Sequence, residues 1–112
     1  MPDHATTPAH PGDLPVYRLP GAGVTDPAAF WTALGRAVGA PGGYYGRNLD
    51  ALADCLRGGY GPVPPYVLEW EDAQVARRRL AGWPGAARDG GPSYFEAIVA
   101  VLEEGGVTVL LR

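Results

Sequence analysis

The five residues Tyr66–Trp70 constrain the fold of this chain more than any other feature. They read Tyr-Val-Leu-Glu-Trp, so both faces of an extended segment carry bulky side chains and only Glu69 is charged. This pattern is typical of a central parallel strand that helices cover on both sides. Two further segments are predicted strands, Val16–Leu19 and the apolar run Val107–Leu111. Because helical patterns separate the strands, we predict parallel crossovers and an α/β layer fold.

Start and stop signals predict a helix between the first strand and residue 39. Pro27 suits the first helical position, and Gly39 suits the end of the helix. The N-cap is either Thr25 or Asp26, since both side chains can accept a hydrogen bond from the first turn. The predicted buried residues of this helix are Phe30, Leu34 and Val38, with Trp31 packed beside them.

Two more helices are predicted between Trp70 and the last strand. Glu71 and Asp72 open the first of them with negative charge at the positive end of the helix dipole, and three arginines at 77–79 fall toward its negative end. This arginine run favours a solvated helix face over an RNA-binding patch. The other helix begins with a capping box, Ser93 with Glu96. Its predicted apolar face consists of Tyr94, Ile98, Val101 and Leu102.

A short helix predicted directly after Asn48 presents two carboxylates on one face. Asn48 is a favourable N-cap, and Gly58 or Gly59 can end the helix in a left-handed conformation. Asp50 and Asp54 are four residues apart, so they lie one turn apart on a shared polar face. The apolar stripe of this helix consists of Leu49, Leu52, Ala53 and Leu56.

The pair of aspartates needs a reason, because like charges four residues apart destabilise a helix. The helix dipole favours a negative charge at Asp50 in the first turn, but it does not explain Asp54. Tyr44, Tyr45 and Gly46 directly precede the helix. We therefore expect a rigid aromatic wall beside the acidic face, a combination that favours a protein-binding surface.

The run Tyr44–Gly58, followed by the strands Tyr66–Trp70 and Val107–Leu111, resembles the barstar family of ribonuclease inhibitors. The resemblance extends from about Val16 to Arg112. It implies a three-layer α/β fold in which a small three-stranded parallel sheet is flanked by about four helices. It also implies that the acidic helix and the loop before it plug the active site of a small secreted guanyl-specific ribonuclease of the barnase type, as a 1:1 complex.

The resemblance implies a role for six residues of this chain. Asp54 matches the family's central carboxylate, and Asp50 matches an acidic partner one turn earlier. Carboxylates at the phosphate positions of a cationic active site are attracted there and exclude RNA. The remaining contact residues implied by the resemblance are Tyr44, Gly46, Asn48 and Gly58.

The chain departs from the family pattern around the acidic helix. Ala53 and Gly59 stand where the type protein has tryptophans, which thins the aromatic wall. Arg47 stands at an acidic position of the family, so the stretch from Arg47 to Arg57 is formally neutral and steering by this face is weaker. For the family's acidic residue on the last helix, the alternatives are Glu96 and Glu103.

Length and composition predict one domain in a reducing compartment. The 112 residues divide into a disordered leader, 1–13, and a single domain, 14–112. The single cysteine excludes an internal disulfide, and the first residues lack the pattern of a secretory signal, so we expect a cytoplasmic protein. A formal net charge of −3 gives no electrostatic support for binding nucleic acid. No apolar run has the length of a membrane span.

The sequence offers little for catalysis. Both histidines, His4 and His10, lie in the predicted leader, so Cys55 has no base to activate it and is read as a small buried hydrophobe. There is no phosphate-binding loop and no cysteine–histidine metal cluster. We predict a binding protein without enzymatic activity, metal or cofactor. The alternative to a ribonuclease inhibitor is an adaptor or immunity module that uses the same scaffold to bind a different toxin or partner.

Overall fold

The computed structural model describes residues 14–83 and 93–112. The predicted leader at 1–13, with its two histidines, and the glycine-rich residues 84–92 lie outside the described residues. The strands are β1 (Val16–Pro20), β2 (Tyr66–Glu71) and β3 (Val107–Leu111). The α-helices are α1 (Pro27–Ala37), α2 (Leu49–Leu56), α3 (Ala73–Leu80) and α4 (Tyr94–Glu104). A 3-10 turn, Pro41–Gly43, lies between α1 and α2.

The three strands form one parallel sheet with β2 in the centre. Leu68 of β2 lies opposite Tyr17 of β1 and Val109 of β3. Four of the six residues of β2 are buried and the other two are half-buried, as expected for a strand covered on both faces. The predicted α/β fold with a three-stranded parallel sheet and four helices is confirmed.

Local capping signals explain where two of the helices begin. Asp26, not Thr25, caps α1, and its Oδ1 accepts a hydrogen bond from the backbone N of Ala29 at 2.8 Å. The predicted capping box at the start of α4 is present, with Ser93 and Glu96 each accepting from the other's backbone N–H. Each bond satisfies a backbone donor that the first helical turn leaves free.

Of the two acids predicted to open α3, only Asp72 stands at its start, in the N-cap position. Glu71 is the last residue of β2, and Asp72 has a left-handed backbone with φ of 51° and ψ of 41°. A capping side chain normally comes from an extended residue, and Asp72 makes no such bond. The residue instead provides the sharp turn from the sheet into the helix.

The core is built around the indole of Trp70 on the central strand. Its ring packs against Phe30 of α1 at a centroid distance of 5.2 Å and against Phe95 of α4 at 4.6 Å. Phe95 is fully buried although the predicted apolar face of α4 omitted it, while Tyr94 and Val101 of that face are only half-buried. Helix α4 packs against β3, α2 and α3 together, so its buried surface is wider than one stripe.

The three arginines of α3 do not share one environment. Arg78 and Arg79 are exposed, as predicted for a solvated face, but Arg77 is half-buried. Its guanidinium carbon lies 4.6 Å from the centroid of the Phe95 ring, and its Nη1 lies 3.5 Å from Oε2 of Glu96. Arg77 therefore links α3 to α4, and the three arginines do not form a single exposed basic patch.

Candidate protein-binding site

Helix α2 is anchored through its apolar side. Leu52, Cys55 and Leu56 are at most 5% exposed, and the helix packs against α4. Cys55 is thus the small buried residue that the sequence predicted, and burial raises the pKa of its thiol. Leu49 and Ala53, predicted for the same stripe, are half-buried. The buried face fixes the orientation of α2, so its opposite face points away from the core.

Both ends of α2 have the predicted termination signals. Asn48 is the N-cap, and its Oδ1 accepts from the backbone N of Ala51 at 2.7 Å. At the other end, Gly58 follows the C-cap residue Arg57 and has φ of +119°, which a residue with a side chain rarely adopts. The helix is therefore short and sharply bounded, with loops leaving from each end.

The two aspartates lie on the solvent side of α2, as predicted, and both are exposed. The side chain of Asp54 is 67% exposed. Its Oδ1 accepts a hydrogen bond from Nη1 of Arg57 at 2.5 Å, and the Arg57 side chain is itself 74% exposed. Asp50 makes no ion pair with the residues that the structure describes. Among the described residues, Asp50 on the acidic face therefore has no ion pair, whereas Asp54 is paired with Arg57 at the C-terminal end of the helix.

The prediction that Tyr44 and Tyr45 form an aromatic wall beside the acidic face is wrong for Tyr45. Tyr44 is 40% exposed, but Tyr45 is fully buried. The hydroxyl of Tyr45 donates to the backbone O of Pro62 at 2.6 Å and accepts from the hydroxyl of Tyr66 at 3.2 Å. Burial raises the pKa of the Tyr45 and Tyr66 phenols above their ordinary value of 10.0. Tyr45 therefore joins the loops on either side of α2 and presents no surface to a partner.

Tyr60 takes the place in the aromatic surface that Tyr45 was expected to fill. It is 47% exposed and lies in the loop after α2, with its ring centroid 6.0 Å from that of Tyr44. The sequence predicted no role for Tyr60. No local pattern marks it, because its contact with Tyr44 depends on the two loops meeting in the fold.

Gly46 lets the loop before α2 approach the helix closely. Its φ is +106°, and a Cβ added there would lie 3.1 Å from the backbone N and Cα of Leu52. A larger residue would be strained by its backbone conformation and would press against the helix. Gly46 is itself buried, while the neighbouring Arg47 and Asn48 are exposed. The structure thus brings five of the six predicted contact residues to one short loop and helix, with Gly58 at the far end.

A cleft of about 420 Å³ separates α2 from α4 beside the acidic face. Its lining residues are Ala53, Leu56, Arg57, Val101, Glu104 and Gly105. Of the two acids considered for the last helix, Glu96 is bound to Arg77 and to the capping box. The acid that lines the cleft is Glu104, which sequence reasoning did not single out. Glu103 is exposed but is not among the lining residues.

The described residues hold neither a metal-binding cluster nor a membrane helix. No group of three or more histidine, cysteine, aspartate or glutamate side chains could hold a metal ion in the described part of the chain. None of the described helices has the length and apolarity needed to cross a bilayer. Taken together, fold and surface define a small α/β domain that displays an acidic helix between two loops bearing tyrosines.

The comparison with family models agrees with this class. The model described as barstar (barnase inhibitor) matches residues 14–106. The chain therefore belongs to the barstar family. A search of curated proteins returned no match.

Proposed function

We propose that this protein is a cytoplasmic, non-enzymatic inhibitor that binds a small secreted guanyl-specific ribonuclease as a 1:1 complex. Family membership supports the class of inhibitor. The observation that carries the finer proposal is the outward placement of Asp50 and Asp54 on a helix whose other side is fixed in the core. In this proposal the protein protects the cell that makes the nuclease.

The physical basis is phosphate mimicry. A ribonuclease must hold a phosphodiester, so its active site carries positive charge. The carboxylate of Asp54 enters this site at a phosphate position, and Asp50 adds negative charge one turn away. Because α2 is already folded and anchored, the carboxylates are presented with little ordering cost on binding.

The loops on either side of α2 supply the rest of the proposed surface. Tyr44 and Tyr60 are exposed and lie side by side, as suits aromatic contacts at an interface. Gly46, which is buried, and Gly58, which is half-buried, lie near the two ends of α2, and Asn48 is exposed at its start. Tyr60 is an addition to the six residues predicted from the sequence.

The test is a titration of RNA cleavage by small guanyl-specific ribonucleases at low and at moderate salt. We expect 1:1 inhibition that weakens as salt screens the charges. Asp54→Asn should weaken inhibition by more than about tenfold, because it removes one partner from a charge pair buried in the complex. Asp50→Asn should have a smaller effect. Asp72→Asn, an exposed carboxylate outside α2, is the control and should leave inhibition unchanged.

Equal and small effects of Asp54→Asn and Asp50→Asn would contradict phosphate mimicry. The second candidate function is an adaptor or immunity module for a different toxin. The observation that favours it is the neutral charge of residues 47–57, with Arg57 bound to Asp54. Folded protein that inhibits none of the tested ribonucleases would support this candidate and direct the search to its native partner.

A further inference from the structure

Arg57 forms an ion pair with Asp54, the carboxylate that the partner binds in the proposed function. Its Nη1 lies 2.5 Å from Oδ1 of Asp54, three residues earlier. Both side chains are more than two-thirds exposed, so a partner can reach the pair. A cation of the partner must therefore displace Arg57 from Asp54, or it binds the carboxylate more weakly while Arg57 stays in place.

We propose that Arg57 is a specificity-determining residue that competes with the partner for Asp54 and that, once displaced, is received by Glu104 across the cleft between α2 and α4. This inference rests on the proposed function, because it concerns the same carboxylate. It goes further by naming what a partner must offer. The partner needs cationic donors that bind Asp54 better than an exposed arginine does.

The cleft gives the displaced arginine a place to bind. Arg57 and Glu104 both line it, and Glu104 is exposed and makes no ion pair with any residue in the described ranges 14–83 and 93–112. Ala53, Leu56 and Val101 line the same cleft. These apolar side chains can cover the methylene stem of Arg57 while its guanidinium reaches the carboxylate. The small side chain of Ala53 keeps the cleft open.

The size of the competition follows from the exposure of the pair. An exposed ion pair of this kind, with no second acceptor for the arginine, leaves Asp54 unpaired for about one-sixth to two-fifths of the time. The measured dissociation constant is raised in inverse proportion to that fraction. Arg57 should therefore weaken binding at Asp54 by about two- to sixfold where Glu104 is removed, and by about 1.5- to 2-fold where Glu104 accepts the displaced arginine with similar strength. A nuclease site with several converging bases overcomes this easily, whereas a surface with one isolated lysine does not.

The experiment measures the dissociation constant of a complex with a small guanyl-specific ribonuclease for a set of variants. Arg57→Gln should bind about 1.5- to 2-fold more tightly than the unmodified protein, and in the Glu104→Gln background the same substitution should tighten binding by about two- to sixfold. The control is Arg78→Gln, an exposed arginine on α3 that removes the same charge away from α2. In the Asp54→Asn background, the gain from Arg57→Gln should shrink to the level of this control, because no carboxylate is left to uncover.

A second pair of variants tests the role of Glu104. Glu104→Gln should weaken binding by about 1.5- to 3.5-fold, since the displaced arginine loses its acceptor. In the Arg57→Gln background, Glu104→Gln should have no effect. An equal loss in both backgrounds would mean that Glu104 acts directly on the partner, which contradicts its role as the acceptor of Arg57.

The outcomes separate this inference from the proposed function. If the unmodified protein inhibits the nuclease and Arg57→Gln binds equally well or more weakly, the competition is refuted and the proposed function stands. If only Arg57→Gln inhibits, both are supported. If no folded variant binds any of the ribonucleases, both the proposed function and the competition of Arg57 for Asp54 are refuted.

Discussion

Replacing Tyr45 with phenylalanine tests whether a buried pair of hydrogen bonds holds together the loops that flank α2. Tyr45 lies before α2, and its hydroxyl donates to the backbone O of Pro62, which lies after α2, at 2.6 Å. The same hydroxyl accepts from Tyr66 on the central strand at 3.2 Å. Both tyrosines are fully buried. One oxygen atom therefore connects both loops to the sheet.

The expected loss can be worked out from these two bonds. An intramolecular hydrogen bond contributes about 1 kcal/mol to stability, and a buried polar group left without a partner costs about 1–3 kcal/mol. Tyr45→Phe breaks both bonds, but Pro62 is only half-buried, so water can partly satisfy its carbonyl. We expect the free energy of unfolding to fall by about 2 kcal/mol. Tyr66→Phe breaks only the longer bond and should cost about 1 kcal/mol or less.

Urea unfolding followed by tryptophan fluorescence measures these losses. Tyr60→Phe is the matched control, because it removes the same atom from an exposed tyrosine, and it should change stability by less than about 0.5 kcal/mol. If Tyr45→Phe and Tyr60→Phe lower stability equally, the bond from Tyr45 to Pro62 does not hold the loops. A loss of inhibition in Tyr45→Phe larger than in Tyr66→Phe would further show that the loop connection supports the binding surface.

The remaining predictions concern pH and two single substitutions. Burial raises the pKa of Cys55, Tyr45 and Tyr66, so the folded protein holds these protons more tightly than the unfolded chain. The three groups contribute fully to the free energy of unfolding below their ordinary pKa values of 9.0 for cysteine and 10.0 for tyrosine, and this contribution is lost as the pH rises above those values. The urea midpoint should therefore fall above about pH 9, and it should fall less steeply in Tyr66→Phe. Phe95→Ala should lower the free energy of unfolding by about 3–5 kcal/mol, because it empties space beside the core indole. Asn48→Ala should cost about 1 kcal/mol by removing the cap of α2, measured in the same urea assay.

Signals that act within one turn of the chain predicted this fold well. The N-cap at Asn48 and the capping box of Ser93 and Glu96 were correct because each involves residues three positions apart. The central strand was correct because its large side chains on both faces require cover on both sides. The sequence placed Asp72 at the start of α3, but it did not predict that the backbone of Asp72 is left-handed and that its side chain makes no capping bond.

The binding surface could be predicted only in part, because much of it depends on contacts between distant residues. Tyr44 and Tyr45 are neighbours in the sequence, yet only the contacts of Tyr45 with residues 62 and 66 decide which of them is buried. Tyr60 reaches Tyr44 from a separate loop, and Glu104 of α4 lines the same cleft as Arg57 at the end of α2. Neither relation leaves a periodic pattern along the chain.

Helix α2 has a buried side that holds it in the fold and an exposed side that carries its charges. The helix is held by the buried side chains of Leu52, Cys55 and Leu56 and by its capped ends, none of which needs the exposed charges. The charges on the outer face can therefore change without a large cost in stability, since exposed substitutions usually alter it by less than about 0.5 kcal/mol. In our proposal Arg57 is such a charge, because it pairs with Asp54 on the exposed side and takes no part in the buried side that holds α2. If that proposal is correct, the choice of partner depends on exposed residues that the fold does not constrain.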